Sequence, residues 1–325
     1  MPDDTALVPV TAPNGRRLAL DFPGLRIGTA EYAEGPTGCT VLHFPQGASC
    51  VMDIRGGAPG IIGGYDRADA ICFAGGSVYG LEAAAGVSDA ILKARKHRTG
   101  WDSLATVSGA IIYDFAGRTN AVYPDKRLGR AAFDAAQEGQ FPIGACGAGR
   151  SASVGKLPNT GRFTSEPGGQ GGAFLALGEL RFAVFTVVNS MGVILDQAGR
   201  VALGMKERRT GVRSTLREIL ERHPELATAR PARGNTTLTA VVVNIRLGRQ
   251  ELRQLARQVH AAMARVIRPF HTEYDGDVLF ALSTEAVEEP EMSRMAIGEY
   301  CAELACEAVW SLLGDRSRDP TGGNA

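Results

Sequence analysis

The chain has 325 residues, 35 basic and 35 acidic side chains, 41 glycines and 6 cysteines. The length suggests one large or two medium domains, and the balanced charge argues against a general nucleic-acid binder or a polybasic membrane binder. The glycines show no three-residue period, which excludes collagen and points to tight turns and close backbone contacts.

The N-terminal Met-Pro-Asp-Asp-Thr is not the basic-then-apolar start of a signal peptide, and apolar runs such as 182–188 are too short to span a bilayer. Residues 40–43, 49–54 and 70–74 read as strands, the last stopped by Gly75-Gly76. A helix over about 78–96 follows, with Leu81, Ala84, Val87 and Ile91 on one face. Its entry at Gly75-Gly76-Ser77 looks like a phosphate loop but lacks the lysine. The predicted form is a turn capped by Ser77, with an anion-binding helix start as the alternative. Residues 110–115 read as a strand and 126–137 as a helix stopped by Gly139. Residues 146–155 and 168–172 read as flexible or tightly turned. Strands over 182–188 and 193–195 are expected to join at a hairpin turn, Asn189-Ser190-Met191-Gly192.

Residues 205–235 are polar and arginine-rich and read as an exposed linker. The linker ends at a buried strand, 236–243. An amphipathic helix over about 249–267 carries the stripe Leu252, Leu255, Val259, Met263 and Val266, and Pro269 ends it. The acidic turn 273–277 leads into a strand over 278–283. A last helix spans about 291–313, with a mobile tail from Gly314. None of the six cysteines forms a C-x-x-C pair, so they read as buried free thiols of a reducing cytosol, with a thiol nucleophile as the alternative. Five scattered histidines have no metal-ligand spacing, so no metal is expected.

Three features could carry chemistry. Gly234-Asn235-Thr236-Thr237 is either a loop entering a strand or a self-processing site. In the second reading the Thr236 hydroxyl attacks the preceding carbonyl, amide becomes ester, and water releases a new N-terminal threonine. Its α-amine, with an intrinsic pKa of about 7.7–8.0, then serves as the base. Asp275 and Asp277 form a solvated turn, a calcium site without the later EF-hand ligands, or a pair that orients the threonine. Asn189 is a turn residue or an oxyanion donor.

The junction at Asn235-Thr236, the run Arg268-Pro269-Phe270-His271-Thr272 before Asp275-Gly276-Asp277, and Ala74-Gly75-Gly76-Ser77 together carry a family resemblance. So do Ile112-Tyr113-Asp114-Phe115, Val122-Tyr123-Pro124-Asp125-Lys126 and Ser151-Ala152-Ser153-Val154-Gly155-Lys156. The chain resembles, from about residue 20 to the last helix, the self-cleaving aminopeptidase family of L-aminopeptidase/D-Ala-esterase and the β-peptidyl aminopeptidases. Within that family it is most similar to the branch that degrades nylon oligomers.

The resemblance implies an αββα sandwich of the N-terminal-nucleophile type forming one catalytic domain, 1–325. It also implies a cut between Asn235 and Thr236 into chains 1–235 and 236–325 that stay associated. Thr236 is the implied nucleophile, Asp275 and Asp277 activate it, Asn189 serves the oxyanion, Lys156 lies in the site and Tyr113 lines it. On sequence alone Tyr113 fits the core equally well. The implied substrates are 6-aminohexanoate oligomers or similar polyamides, with no cofactor, no metal, no nucleic acid and no membrane. A cytoplasmic homotetramer of αβ units is implied. The alternatives are a β-amino-acid or L-amino-acid aminopeptidase, more distantly an acyltransferase, and a binding protein with a dead junction. The chain departs from the nylon-oligomer branch at Ser190-Met191, beside the oxyanion asparagine.

Overall fold

An 18-residue strand organises the molecule. In the computed structural model, which describes residues 7–11, 14–157, 161–228, 234–288 and 291–318, nine strands form one hydrogen-bonded network. They are β1 (Arg26–Tyr32), β2 (Thr37–Ile54), β3 (Ile61–Ile62), β4 (Arg67–Ala74), β5 (Val107–Ile111), β6 (Gly169–Leu177), β7 (Leu180–Asn189), β8 (Thr236–Ile245) and β9 (Val278–Val287). The order is β6-β7-β8-β9-β2-β4-β5-β3, with β1 also on β2. The first half of β2 pairs with β1 and β4, the second half with β9, and its register with β4 breaks between His43 and Ala48. The two predicted strands at 40–43 and 49–54 are therefore one strand serving two sheet halves.

Alternate side chains of each half face two different cores, as a pleated strand requires. Leu42, Phe73, Phe185, Leu238, Val242 and Phe280 meet between the halves, with the Phe73 and Phe280 ring centroids 6.1 Å apart. On the outer face of one half, Val41 and Cys72 pack against helices α1 (Glu82–Ala94) and α2 (Lys126–Asp134). On the other, Val184, Val241, Leu279 and Ala281 pack with Leu255 and Val259 of α4 (Arg249–Ala262) and Leu304 of α5 (Arg294–Trp310). Three cores between four layers make the expected αββα sandwich.

Several expectations change. A 3-10 turn, Ser77–Leu81, precedes α1, and Ser77 does not cap it: Gly76 is the cap residue, in the left-handed region, with no side-chain cap bond. The Asp114 carboxylate accepts from the Gly76 N–H at 2.8 Å and from the Thr37 hydroxyl at 2.5 Å, so the anion position is filled by the chain itself. Residues 168–172 are not a flexible turn, because residues 169–172 begin β6. A Cβ at Gly171 would come within 2.0 Å of the Ala308 carbonyl oxygen, so the glycine lets α5 close on the sheet. Residues 189–192 are no hairpin: β7 pairs with β6 and β8, while Val193–Leu195 pairs with Val201–Leu203 and Ile267–Arg268 in a separate sheet. The strand expected over 110–115 stops at Ile111, leaving Tyr113 in a loop. The linker region contains a helix, α3 (Leu216–Arg222), closed by a Thr215–Glu218 capping box, and a 3-10 turn, Pro224–Thr228. Its residues 229–233, the part of the expected tail beyond 318, and residues 1–6 lie outside the described residues, whereas 314–318 belong to a 3-10 turn, Ser311–Arg318.

Candidate active site

Strand direction brings the candidate residues to one edge. β8 is buried along its whole length and runs parallel to β9 and antiparallel to β7. The loop before β8, the loop before β9 and the end of β7 therefore meet. Thr236 lies opposite Asn189 in the ladder, and Asn235 bridges to Asp275.

Thr236 is 5% exposed, and its hydroxyl donates to the carbonyl oxygen of Asn235 at 2.5 Å. That oxygen also accepts the Gly276 N–H at 2.8 Å. A Cβ at Gly276 would stand 2.8 Å from Thr236 Oγ1, so only a glycine leaves the hydroxyl its present position. On the other side of Asn235, Gly234 has φ +84°, a left-handed conformation, and a Cβ there would meet the Tyr113 ring at 2.6 Å. Tyr113 is 39% exposed with its ring against Gly234, so the core reading fails.

Asp275 and Asp277 are buried, which removes the solvated-turn reading. Asp275 accepts from the Met191 N–H with one oxygen, and from the Thr272 N–H and the Thr272 hydroxyl with the other, at 3.3, 3.2 and 2.5 Å. Asp277 accepts from the Thr237 N–H at 2.6 Å and, with its second oxygen, from the His271 N–H at 3.1 Å, and His271 Nδ1 lies 3.1 Å from that same oxygen. All four oxygens serve protein donors, which is not a calcium ligand set. Burial, and then the nearby Asp277 charge, raise the Asp275 pKa above the usual carboxylate range.

Asn189 uses its whole amide. Its Oδ1 accepts from the Ser153 N–H at 3.0 Å and from Lys156 Nζ at 2.8 Å, and its Nδ2 donates to the carbonyls of Gly234 and Tyr113 at 3.0 and 3.2 Å. Lys156 Nζ donates also to the Asn189 and Gly234 carbonyls, at 2.8 and 3.3 Å. Three acceptors suit the three protons of an ammonium. Burial pulls the Lys156 pKa down to about 7, against the opposing pull of Asp275. Beside Lys156 opens a cleft of about 390 Å³ lined by Leu157, Met191, Leu216, Leu220, Leu226 and Glu273, among others. All six cysteines are buried and unpaired, and burial pushes Cys50 and Cys146 up to about 12, so no thiol is poised as a nucleophile.

All six residues expected in the site thus converge at this edge. Gly276 as a backbone donor, the Thr272 hydroxyl, the Ser153 N–H and His271 are not legible as site groups in the sequence. Thr272 and His271 belong to the Arg268–Thr272 run, but their partners are fixed by the fold of the loop before β9, which no spacing rule reveals. Among the described residues no helix is long and apolar enough to cross a membrane.

The model of peptidase family S58 matches residues 19–313. A 6-aminohexanoate-oligomer endohydrolase of Paenarthrobacter ureafaciens is 47% identical over 314 residues, 93% of this chain and 88% of that protein. Among solved structures, the L-aminopeptidase D-Ala-esterase/amidase of Ochrobactrum anthropi, described as a variant of the Ntn hydrolase fold, superposes with a TM-score of 0.64 at 15% identity. It covers 93% of this chain and 88% of its own. A Burkholderia β-aminopeptidase gives a TM-score of 0.61 at 17% identity, with coverage of 93% and 88%.

Proposed function

The chain belongs to peptidase family S58, and from that premise we propose an amide hydrolase that cuts itself between Asn235 and Thr236 and then uses Thr236 as its nucleophile. One observation carries the reading: the Thr236 hydroxyl and the Gly276 N–H converge on the carbonyl oxygen of Asn235. In self-cleavage the hydroxyl oxygen attacks that carbonyl carbon, and the Gly276 N–H stabilises the oxyanion. The Asn235–Thr236 amide bond breaks, its nitrogen takes a proton, and an ester remains on Oγ1. Water hydrolyses the ester and leaves a 235-residue and a 90-residue chain.

In turnover the freed threonine amine takes the hydroxyl proton, the oxygen attacks the substrate carbonyl, the amide C–N bond breaks as its amine leaves with that proton, and water then hydrolyses the Oγ1 ester. Asp277 holds the strand end through the Thr237 N–H, and Asp275 ties the Met191 N–H to Thr272 of the loop before β9. Departure of Gly234 frees Asn189 Nδ2 and one Lys156 proton, which become donors to the substrate oxyanion.

The cleft beside Lys156 is walled mainly by aliphatic side chains, which suits the methylene segments of 6-aminohexanoate oligomers, the substrate named for the 47%-identical relative. Glu273 in the same wall favours the second reading, an aminopeptidase, since its carboxylate can receive a substrate's free amine. Mass spectrometry of products from linear oligoamides decides between them: internal cuts support the endohydrolase, and release of single N-terminal units supports the aminopeptidase. Intact mass tests the nucleophile. The Thr236→Ala chain should stay at 325 residues and be inactive, and a cut at the same bond would overturn the assignment. Assembly into tetramers of αβ units and a cytoplasmic location complete the reading; light scattering of the processed protein checks the first.

A further inference from the structure

A run of polar groups leads away from the nucleophile through Asp277 and His271 to His260 of α4. Asp277 binds the Thr237 N–H with one oxygen, and so fixes the residue next to Thr236. Its other oxygen is held wholly by His271, through the backbone N–H and through Nδ1. His271 sits at φ +60°, an uncommon conformation for a residue with a side chain. That conformation folds the residue's own N–H and its ring onto one carboxylate oxygen. The ring is fixed in turn. His260, fully buried on α4, stands edge-on to it with centroids 4.3 Å apart, and Phe270 stacks on it at 3.8 Å. His260 is itself held by Asp53 at 2.9 Å, and Asp53 by Arg55 at 2.7 Å. Nε2 of His271 is buried with no partner among the described residues. A proton there would be orphaned, so the network assigns it to Nδ1, aimed at Asp277.

We propose that His271 is a positioning residue for Thr236, acting through Asp277. It holds the carboxylate at the distance and angle at which the carboxylate's other oxygen fixes the Thr237 N–H. That in turn sets Oγ1 against the carbonyl to be attacked. The proposal rests on Thr236 being the nucleophile.

Two substitutions separate the side chain from the backbone conformation. His271→Asn keeps a donor at the position of Nδ1 and tolerates positive φ; His271→Gly tolerates positive φ and has no side-chain donor. The readouts are the rate of self-cleavage by intact mass, kcat and KM on an oligoamide the native enzyme cuts, and thermal midpoint. His271→Asn should keep kcat within a few-fold of the native value, while His271→Gly should lose about 10²-fold in kcat and in self-cleavage with KM unchanged, the size expected for a misplaced nucleophile. Equal kcat values for the two variants, whether both native-like or both depressed, would overturn the proposal, because a purely conformational role predicts no difference. If the glycine variant fails to fold, nitrogen-15 spectra of the histidine rings in the uncut Thr236→Ala chain decide. A proton on Nδ1 of His271 supports the proposal and a proton on Nε2 alone ends it. The premise fails separately: an active, processed Thr236→Ala chain removes the nucleophile, whereas an inactive one beside a fully active His271→Gly removes only the role of His271.

Discussion

Around Thr236 the site is held by backbone groups: the N–H groups of Gly276, Thr237, Met191, Thr272 and His271 each have a named acceptor. On the far side of Lys156 the cleft is walled by side chains of α3 and the turn Pro224–Thr228, which face the loop before β9 that carries those N–H groups. One wall is fixed by the register of three strands, the other by which side chains project from short elements. Chemistry and selectivity can therefore vary separately. A change in the strand wall displaces the reacting atoms, while a change in the cleft wall alters only what fits.

The sharpest test of the strand wall is Gly276→Ala. The added methyl would sit 2.8 Å from both Thr236 Oγ1 and the Ala58 carbonyl oxygen, and the N–H on the Asn235 carbonyl must shift to relieve it. Loss of one well-placed oxyanion donor costs about 10²–10³ in rate, and displacement of the hydroxyl adds to that. The expected product is an uncut chain on a denaturing gel after hours at 25 °C. Normal processing would show that the wall is softer than its hydrogen bonds imply. Asn189→Ala should follow in size. It removes the amide that joins Lys156, Ser153 and Gly234, and kcat of whatever processed enzyme forms should fall about 10²-fold.

Much of this division was legible in the sequence, for a physical reason. The hydrophobic run after Thr236 read as a buried strand, which β8 is, while Gly-Asn-Thr-Thr at its start read equally as a loop, and only the family resemblance singled it out. The acidic pair was legible as a pair. Its burial was not, because Asp-Gly-Asp in isolation is turn chemistry, and only the parallel pairing of β8 with β9 takes that turn out of water. Asn189-Ser190-Met191-Gly192 misled as a hairpin because the local pattern cannot reveal that the chain leaves one sheet for another there. The cleft wall was the least legible: α3 has only seven residues, and a capping box rather than an apolar period defines it.

A smaller effect tests the cleft wall. Leu220→Ala opens the aliphatic lining without touching a hydrogen bond of the strand wall. KM for an aliphatic oligoamide should rise about 10-fold, as for a lost contact of a few methylenes, with kcat and self-cleavage unchanged. Slowed self-cleavage would break the comparison, since the two walls would then be mechanically one.

A pH dependence tests Lys156, which stands where the walls meet. Its pKa in the folded chain, about 7, is well below its ordinary value of 10.5 because burial disfavours the ammonium. Between those limits the unfolded chain holds a proton that the folded chain has released, so stability through this group rises with pH across that window and is lowest below about 7. Lys156→Met carries no titrating group there. The thermal midpoint of the native protein minus that of Lys156→Met should therefore increase steadily from pH 7 to pH 10, whatever its sign at pH 7. Activity should move the opposite way if the ammonium serves the oxyanion: kcat falls as pH rises past 7 while stability climbs. A midpoint difference that is flat with pH would mean that Lys156 keeps its proton throughout, held by its three acceptors, and that the cost of burying it has been met by the strand wall alone.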